Sequence, residues 1–166
     1  MLLDTLKEKF GAGILQTSDA LGEACIVIDR EKAPEIFRAL HDDADLSFEF
    51  LIDLTAVDWP ERRPRFEVVY QLKSMARNLR LRVKIQVEAA DAWVPSAHPV
   101  WKSADWLERE CFDMFGIQFH GHPDLRRILL YDTFEGHPLR KDYPFAKRQP
   151  IVPEIDPITK PLRPTK

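Results

Sequence analysis

Two spacings of apolar residues alternate along the first part of the chain, and each predicts a different kind of element. In residues 1–10 and 33–41, apolar side chains recur every three or four positions, which indicates two amphipathic helices. Gly11 and Gly13 follow the first helix where it would end, and Pro34 suits the first turn of the second. Both helices need a surface that covers their apolar side.

Other segments predict strands. Residues 66–72 and 79–87 alternate apolar and polar side chains, and the six residues between them favour an antiparallel hairpin. Residues 48–57 also alternate, while the apolar run at 23–29 is typical of a strand covered on both faces. In residues 48–57 we expect one apolar face made of Phe48, Phe50, Ile52, Leu54 and Ala56.

The charged side of the 79–87 strand carries Arg80, Arg82 and Lys84. We expect this outer face to discourage pairing with another chain at a sheet edge. A nucleic-acid site on the same three residues is the alternative, but residues 1–116 are net acidic, and exposed aromatic residues for base stacking are not evident from the sequence. The sequence therefore favours a protein without nucleic acid as a partner.

A third helix is predicted between Ser103 and Gly116. Ser103 can serve as its N-cap, and Gly116 can close its C-terminal end. Cys111 belongs to its apolar stripe, and Arg109 and Asp113, four residues apart, could form an ion pair on another face.

The chain changes character after Gly116. Residues 1–116 carry a net charge of −6 and residues 117–166 a net charge of +3, and eight of the 13 prolines lie in the second part. From Pro144 onward the prolines prevent helix and discourage sheet, so this end is either disordered or an extended strap on another protein. We expect an α+β domain at 1–116, with a mixed, largely antiparallel sheet of about four strands and helices on one face. A turn and an extended Pro-rich C-terminal arm, together at 117–166, would follow it.

Composition limits the location of the chain. With 45% hydrophobic and 31% charged residues it has the balance of an ordinary globular protein, and no apolar run approaches the ~20 residues that span a bilayer. The charged residues within 1–10 are unlike the apolar centre of a secretory signal. We expect a cytoplasmic chain that reaches a membrane only through partners.

Candidate chemistry is sparse. Cys25 and Cys111 are the only cysteines, whereas an iron–sulfur cluster normally takes four thiolates, and no phosphate-binding glycine loop occurs. Cys111 as a nucleophile would need a polarised thiolate, which its place on an apolar stripe opposes. His122 could also pair with Asp113 or Asp124 as acid and base.

A divalent metal site is the remaining chemical alternative. His120, His122 and Asp124 are suitable ligands and would make the chain a small, free-standing metal-dependent enzyme. No second ligand cluster lies at a recognisable spacing, so histidines that hydrogen-bond or lie at an interface are the simpler interpretation.

The stretch from Glu108 to Leu130, ERECFDMFGIQFHGHPDLRRILL, resembles the signature of the C-type subunits of bacterial NADH:quinone oxidoreductase, the 30-kDa subunit family of respiratory complex I. A second block, GHPLRKDYP, resembles the continuation typical of that family. We call the residues that carry the resemblance the signature residues. In the first block they are Glu108, Arg109, Glu110, Asp113, Met114, Phe115, Gly116, His122, Pro123, Arg126, Arg127, Ile128 and Leu129. In the second they are Gly136, His137, Pro138, Leu139, Arg140, Lys141, Asp142, Tyr143 and Pro144.

The resemblance implies an accessory subunit without cofactor. Members of this family lie in the peripheral arm beside the D-type, quinone-site subunit, on the cytoplasmic side of the inner membrane. NADH, FMN, iron–sulfur clusters and quinone belong to other parts of such a complex. Related subunits occur in membrane-bound hydrogenases, F420H2 dehydrogenases and the photosynthetic NDH complex, so an equivalent role there is the nearest alternative.

The resemblance also turns the arm into a strap toward that neighbour. On this hypothesis Arg140, Lys141, Arg148 and Arg163 meet acidic or carbonyl-rich grooves of the neighbour, and Tyr143 anchors between them. In the first block we expect Arg109 and either Arg126 or Arg127 to pair with Glu108, Glu110 or Asp113 and so fix the direction in which the strap leaves.

Overall fold

The computed structural model describes residues 2–20 and 22–149. The arm from residue 150 onward, including Arg163, lies outside the described residues. The helices are α1 (Leu2–Phe10), α2 (Ala33–Asp42) and α3 (Ala104–Phe115). The strands are β1 (Ile14–Ala20), β2 (Glu23–Ile28), β3 (Phe50–Asp58), β4 (Phe66–Ser74), β5 (Leu79–Val87), β6 (Trp93–Pro95) and β7 (Gln118–His120).

A five-stranded sheet in the order β1-β2-β5-β4-β3 forms the centre of the fold. Only β2 and β5 pair in parallel; the other neighbours are antiparallel, including the expected β4–β5 hairpin. The predicted α+β class with a mixed, largely antiparallel sheet is confirmed. The expectation that β5 needs protection as an edge strand is wrong, because β5 lies between β2 and β4.

The helices cover one face of the sheet. Leu6 of α1, Phe37 of α2 and Phe115 of α3 join the inward side chains of the strands in one buried core. In β5 the predicted alternation is confirmed, since Leu81, Val83, Ile85 and Val87 are at most 2% exposed. That face is therefore dry, while the opposite face carries the polar side chains of the same strands.

The predicted apolar face of β3 is wrong at two positions. A register shift between Leu51 and Asp53 inserts one extra residue, and a bulge of this kind reverses the alternation before it. Leu51 is therefore buried, at 3% exposed, whereas Phe50 and Ile52 are 57% and 47% exposed.

The ends of α3 follow the prediction in part. Gly116 closes the helix in the left-handed conformation, at φ 73°, as expected. Ser103 occupies the N-cap position, but its side chain does not cap the helix; its hydroxyl instead lies 3.4 Å from the carbonyl oxygen of Leu51, to which it donates. The hydroxyl thus links the start of α3 to β3.

Residues after Gly116 contribute to the same core. Ile117 and Phe119 are 0% and 2% exposed, and β7 pairs in parallel with β6. Side chains from before and after residue 116 thus pack in one core. The division of the chain into two parts at this residue stays a prediction. No helix within residues 2–20 and 22–149 is long and apolar enough to cross a bilayer.

Because of the bulge, substitutions at two neighbouring positions of β3 should lower the free energy of unfolding by very different amounts. Leu51→Ala should lower the free energy of unfolding by about 2–4 kcal/mol, because it opens a cavity in the core. Ile52→Ala should lower it by less than about 1 kcal/mol, because that side chain is largely in water. Urea denaturation of the two purified variants measures both values. Equal losses would mean that β3 has the unbulged alternation.

Candidate functional site

The carbonyl groups in the last turn of α3 accept hydrogen bonds from a distant part of the chain. A helix leaves its final carbonyl groups without partners inside the helix. Here the Gly116 N–H donates to the Phe112 carbonyl at 2.8 Å, and three groups from the second signature block fill the next three. The His137 ring binds the Asp113 carbonyl (2.9 Å), the Leu139 N–H the Met114 carbonyl (3.1 Å) and Arg140 Nε the Phe115 carbonyl (2.5 Å).

Two details fix this cap. A carbonyl oxygen only accepts hydrogen bonds, so Nδ1 of His137 carries the proton, and burial lowers the pKa of this imidazole. Gly116 has no room for a side chain, since a Cβ there would lie 2.5 Å from the His137 ring and 2.8 Å from Arg140. The glycine is thus required both for the turn and for the close approach of the second block.

Asp113 holds the first block. Its carboxylate is fully buried, and Oδ2 accepts the backbone N–H groups of Ile128, Leu129 and Leu130 at 3.0, 2.9 and 2.9 Å. Arg127 donates to Oδ1 at 2.7 Å. Burial alone would raise the pKa of Asp113, but these four donors hold it below the usual value.

Arg109 supports the same loop from the other side. It is 8% exposed and donates to the carbonyl oxygens of Arg126 and Arg127, both at 3.2 Å. The expected ion pair between Arg109 and Asp113 is therefore wrong, because each of them binds the loop instead. Of the pairs expected within the signature, Arg127 with Asp113 forms, whereas exposed Arg126 pairs with Asp124 at 2.8 Å.

The second signature block also binds the end of β3, through Lys141 and Asp142. The sequence did not predict this contact. Arg65 donates to both oxygens of buried Asp58 at 2.7 Å and to Asp142 at 2.8 Å, and the Lys141 N–H donates to Asp58 at 2.7 Å. The hydrogen bonds from Arg65 hold the pKa of Asp58 below its usual value. Asp58 ends β3 and carries no local motif, so only the fold shows that it meets a residue 83 positions away.

Glu108 joins α3 to the segment after β6. It is fully buried and accepts from Ser96 Oγ at 2.7 Å and from the Ala97 N–H at 2.6 Å. Burial raises its pKa to about 7 in spite of these hydrogen bonds. The carboxyl of Glu108 is therefore a structural link inside the domain, and the expected pairing with an arginine is not formed.

The candidate metal ligands do not converge. The His120 ring stacks on Trp93 with 4.3 Å between centroids, and Asp124 pairs with Arg126. The His122 side chain is buried; its Nδ1 accepts the Asp124 N–H at 3.0 Å and its Nε2 lies 3.2 Å from the Asp105 carboxylate. Among the residues that the structure describes, no group of three or more His, Cys, Asp or Glu side chains could hold a metal ion.

Cys111 lies where the sequence predicted it, on the buried side of α3. It is 2% exposed, and burial raises the pKa of its thiol. A thiol in this setting stays protonated at neutral pH and is a poor nucleophile.

The second block is used mainly inside the chain. The Arg140 guanidinium lies 5.1 Å from the centre of the Phe66 ring, and the Tyr143 ring stacks on Phe134 at 6.1 Å. Both are half-buried, so their expected contacts with a neighbour stay a prediction. Lys141 and Arg148 stay exposed.

The apolar signature residues divide into buried and exposed ones. Met114 and Phe115 are 8% and 7% exposed, whereas Leu129 and Leu139 are 63% and 50% exposed. The backbone N–H groups of both exposed leucines are held at the end of α3, so their side chains point out of a well-anchored backbone. Glu110, Pro123, Gly136 and Pro144 are exposed as well, whereas Ile128 and Pro138 are half-buried.

The Asp113 cluster predicts a stability that depends on pH. Asp113→Asn should lower the free energy of unfolding at pH 7 by about 3 kcal/mol, because it leaves Arg127 without its carboxylate. The folded-state pKa is lowered, so the contribution is present above the unfolded value of about 3.9 and is lost as pH falls through the folded value. Urea denaturation from pH 7 to pH 2.5 measures the difference. A difference that does not shrink toward acid would contradict this ionisation.

Glu108 predicts a dependence of stability on pH in the opposite direction. Its folded-state pKa is about 7, above the unfolded value, so the stability it contributes is present at pH 4 and is lost as pH rises through about 7. Glu108→Gln should flatten this loss, which would be up to roughly 3 kcal/mol between pH 4 and pH 8. Denaturation curves of the unmodified chain and the variant across this range measure the effect; parallel pH profiles would rule it out.

Comparison with known proteins shows the family of the chain. A family model described as the respiratory-chain NADH dehydrogenase, 30 Kd subunit, matches residues 26–149, which include both signature blocks. The C-type NADH-quinone oxidoreductase subunit of Citrifermentans bemidjiense is 48% identical over 139 residues, which are 84% of this chain and 85% of the relative. The subunit of the same name from Caulobacter vibrioides is 53% identical over 134 residues, which are 81% of this chain and 68% of the relative.

Two solved structures share the fold. The trypsin-resistant fragment (1–134) of Nqo5 is 34% identical, with a TM-score of 0.66, covering 75% of this chain and 98% of the fragment. A chain of the membrane-bound sulfane sulfur reductase, an archaeal respiratory membrane complex, has a TM-score of 0.73 at 22% identity, covering 87% of this chain and 85% of that one. At that identity the second likeness shows the fold alone. With the family model and the relatives in agreement, this chain belongs to the 30-kDa subunit family of respiratory-chain NADH dehydrogenase, which includes the C-type subunits of NADH-quinone oxidoreductase.

Proposed function

We propose that the chain is an accessory subunit without cofactor, which supports the quinone-site subunit in the peripheral arm of a proton-translocating NADH:quinone oxidoreductase. The observation that carries the proposal is the set of contacts that the signature residues form. Their polar groups hold two loops at the end of α3, and the loops present Leu129 and Leu139 to the outside.

The state of the titratable groups supports a role without chemistry in this chain. The Asp113 carboxylate takes four hydrogen bonds from its own loop, and both nitrogens of His122 have neighbours inside the domain. A general base needs a free lone pair within reach of a substrate, and a nucleophilic thiol needs a depressed pKa. Asp113, His122 and Cys111 meet neither requirement. NADH, FMN, iron–sulfur clusters and quinone would then be held by other subunits.

The exposed leucines support a protein partner. Apolar side chains on a fixed backbone lose little conformational entropy on binding, which favours them as contact residues. Lys141, two residues after Leu139, and Arg148 are exposed as well and carry positive charge. We place the quinone-site subunit against this surface and the chain at the cytoplasmic side of the inner membrane, bound to the membrane only through the complex.

The trypsin-resistant fragment of Nqo5 supports treating the body of the chain as a unit that folds by itself. The arm beyond residue 149 would then add contacts with the neighbour during assembly.

The alternative is an equivalent subunit of a related membrane complex. It is supported by the fold that this chain shares with a chain of the sulfane sulfur reductase complex. Purification of the complex from native membranes through a tag on this chain separates the two. Recovery of a flavin-containing module that oxidises NADH supports the proposal. Recovery of the complex without such a module supports the alternative, and recovery of the chain alone from the soluble fraction contradicts both.

Leu129 predicts a specific loss of assembly. Leu129→Asp should abolish recovery of the quinone-site subunit with the tagged chain and reduce membrane NADH:quinone reductase activity, because a carboxylate would be buried in an apolar contact. The folded chain itself should keep its thermal midpoint, since the side chain is exposed.

Leu15→Asp provides the matched control, because Leu15 on β1 is also 63% exposed but lies outside the signature. This variant should assemble normally. Normal assembly of the Leu129 variant, or equal loss in both, would contradict the proposed interface.

A further inference from the structure

A row of three side chains crosses the outer face of the sheet, which α1, α2 and α3 do not cover. Phe50 of β3 lies opposite Lys73 of β4, and Lys73 lies opposite Arg80 of β5. Phe50 is 57% exposed, Ile52 beside it is 47% exposed, and Met75, two residues after Lys73, is 61% exposed. We call these five residues the Phe50 corner.

The two cations of the Phe50 corner face each other. Like charges directly opposite one another on neighbouring strands destabilise a sheet. Neither Lys73 nor Arg80 forms an ion pair within residues 2–20 and 22–149. The fold therefore bears a local electrostatic cost that a carboxylate from outside the chain would remove.

The other cations of β5 show what an ordinary solvated face looks like. Arg82 pairs with Glu23 of β2 at 2.7 Å, and Lys84 pairs with Glu67 of β4 at 2.5 Å. Both are neutralised by a neighbouring strand. Arg80 lies on the same strand and the same face, yet its neighbour on β4 is another cation.

The bulge of β3 adds apolar contact area at the same place. It turns Ile52 outward, and bulges commonly redirect a side chain where a strand must present it. A shallow depression of about 250 Å³ is lined by Ile52, Gln71 and Arg80, together with Glu23 and Arg82. Ile52 and Arg80 of the Phe50 corner thus share one concave site, in which Arg82 and Glu23 pair with each other.

We propose that the Phe50 corner binds an acidic segment of another protein of the complex, with an apolar side chain on Phe50 and Ile52 and a carboxylate between Lys73 and Arg80. A second copy of this chain fits less well, because a symmetric contact would bring the same two cations together. The proposal rests on the assembly of this chain into a multi-subunit complex, but not on the contact at Leu129.

The test is photo-cross-linking in the assembled complex. The photoreactive residue p-benzoylphenylalanine is placed at Phe50 of the full chain, and the matched control carries it at Thr55, which is exposed on the same strand. The expected result is a cross-link from position 50 to another subunit, at a peptide that contains Asp or Glu, and a much weaker one from position 55. Cross-links only to lipid, only to a second copy of this chain, or to no molecule would overturn the proposal.

A charge reversal separates binding from folding. Lys73→Glu should lower the cross-link yield about tenfold, because it removes the attraction for a carboxylate. The same change should raise the thermal midpoint of the isolated chain, because it places opposite charges across the strand pair. Thr55→Glu, exposed on β3 and opposite Val69, is the control and should keep the full yield.

An unchanged yield in the Lys73 variant would show that the site does not recognise an acidic segment. Since the yield is read in complexes that have assembled, that outcome would leave the proposed role of Leu129 untouched.

Discussion

The unpaired carbonyl groups at the end of α3 are the constraint on which this side of the molecule depends. A helix that ends against other parts of the protein needs donors for its last turn, and α3 takes three of them from residues 137–140, between 24 and 25 positions further along the chain. The carboxylate of Asp113, in the same turn, holds residues 127–130. One turn of helix therefore organises two separate loops, and the direction of each exposed leucine follows from it.

The position of that helix end is itself set by the sheet. The indole N–H of Trp101 donates to the Phe48 carbonyl at 3.0 Å, and Glu108 holds the segment at residues 96–97. At the far end of β3, Asp58 and Arg65 bind residues 141–142. Hydrogen bonds to charged groups are stronger than neutral ones and lose more when one partner is removed. The two signature blocks are thus tied to α3 and to β3 by interactions that resist small shifts.

The sequence predicts well those features that depend on the spacing of apolar residues within one element. The alternation in β4 and β5 and the stripe of α3 each follow from neighbouring residues, and Gly116 could be placed at a helix end because its conformational freedom is a local property. The bulge at Ile52 was missed because an inserted residue leaves the apolar composition of β3 unchanged. Strand β1 was missed because it is largely exposed, with Ile14 and Thr17 only half-buried, so it has no apolar period.

The partners of the signature residues could not be predicted from spacing. Arg109 and Asp113 stand at the distance of a helical ion pair, yet a buried carboxylate is better satisfied by three backbone N–H groups and Arg127 than by one exposed pair. The resemblance to the 30-kDa subunit family is confirmed by the comparisons, whereas the functional role of the signature residues stays a prediction. It could not show that Arg140 and Tyr143 serve the fold of this chain.

On the proposed function, the chain contributes shape to its complex. Its charged residues build a surface, and its partners would recognise the apolar and basic side chains that this surface presents. Amide hydrogen exchange of the isolated chain tests this account most directly. The N–H groups of Ile128, Leu129, Leu130 and Leu139 should exchange as slowly as those of β4 and β5, although they lie in loops without regular secondary structure. Exchange of these four amides at the rate of unprotected peptides, while the sheet stays protected, would mean that the end of α3 does not hold the two loops.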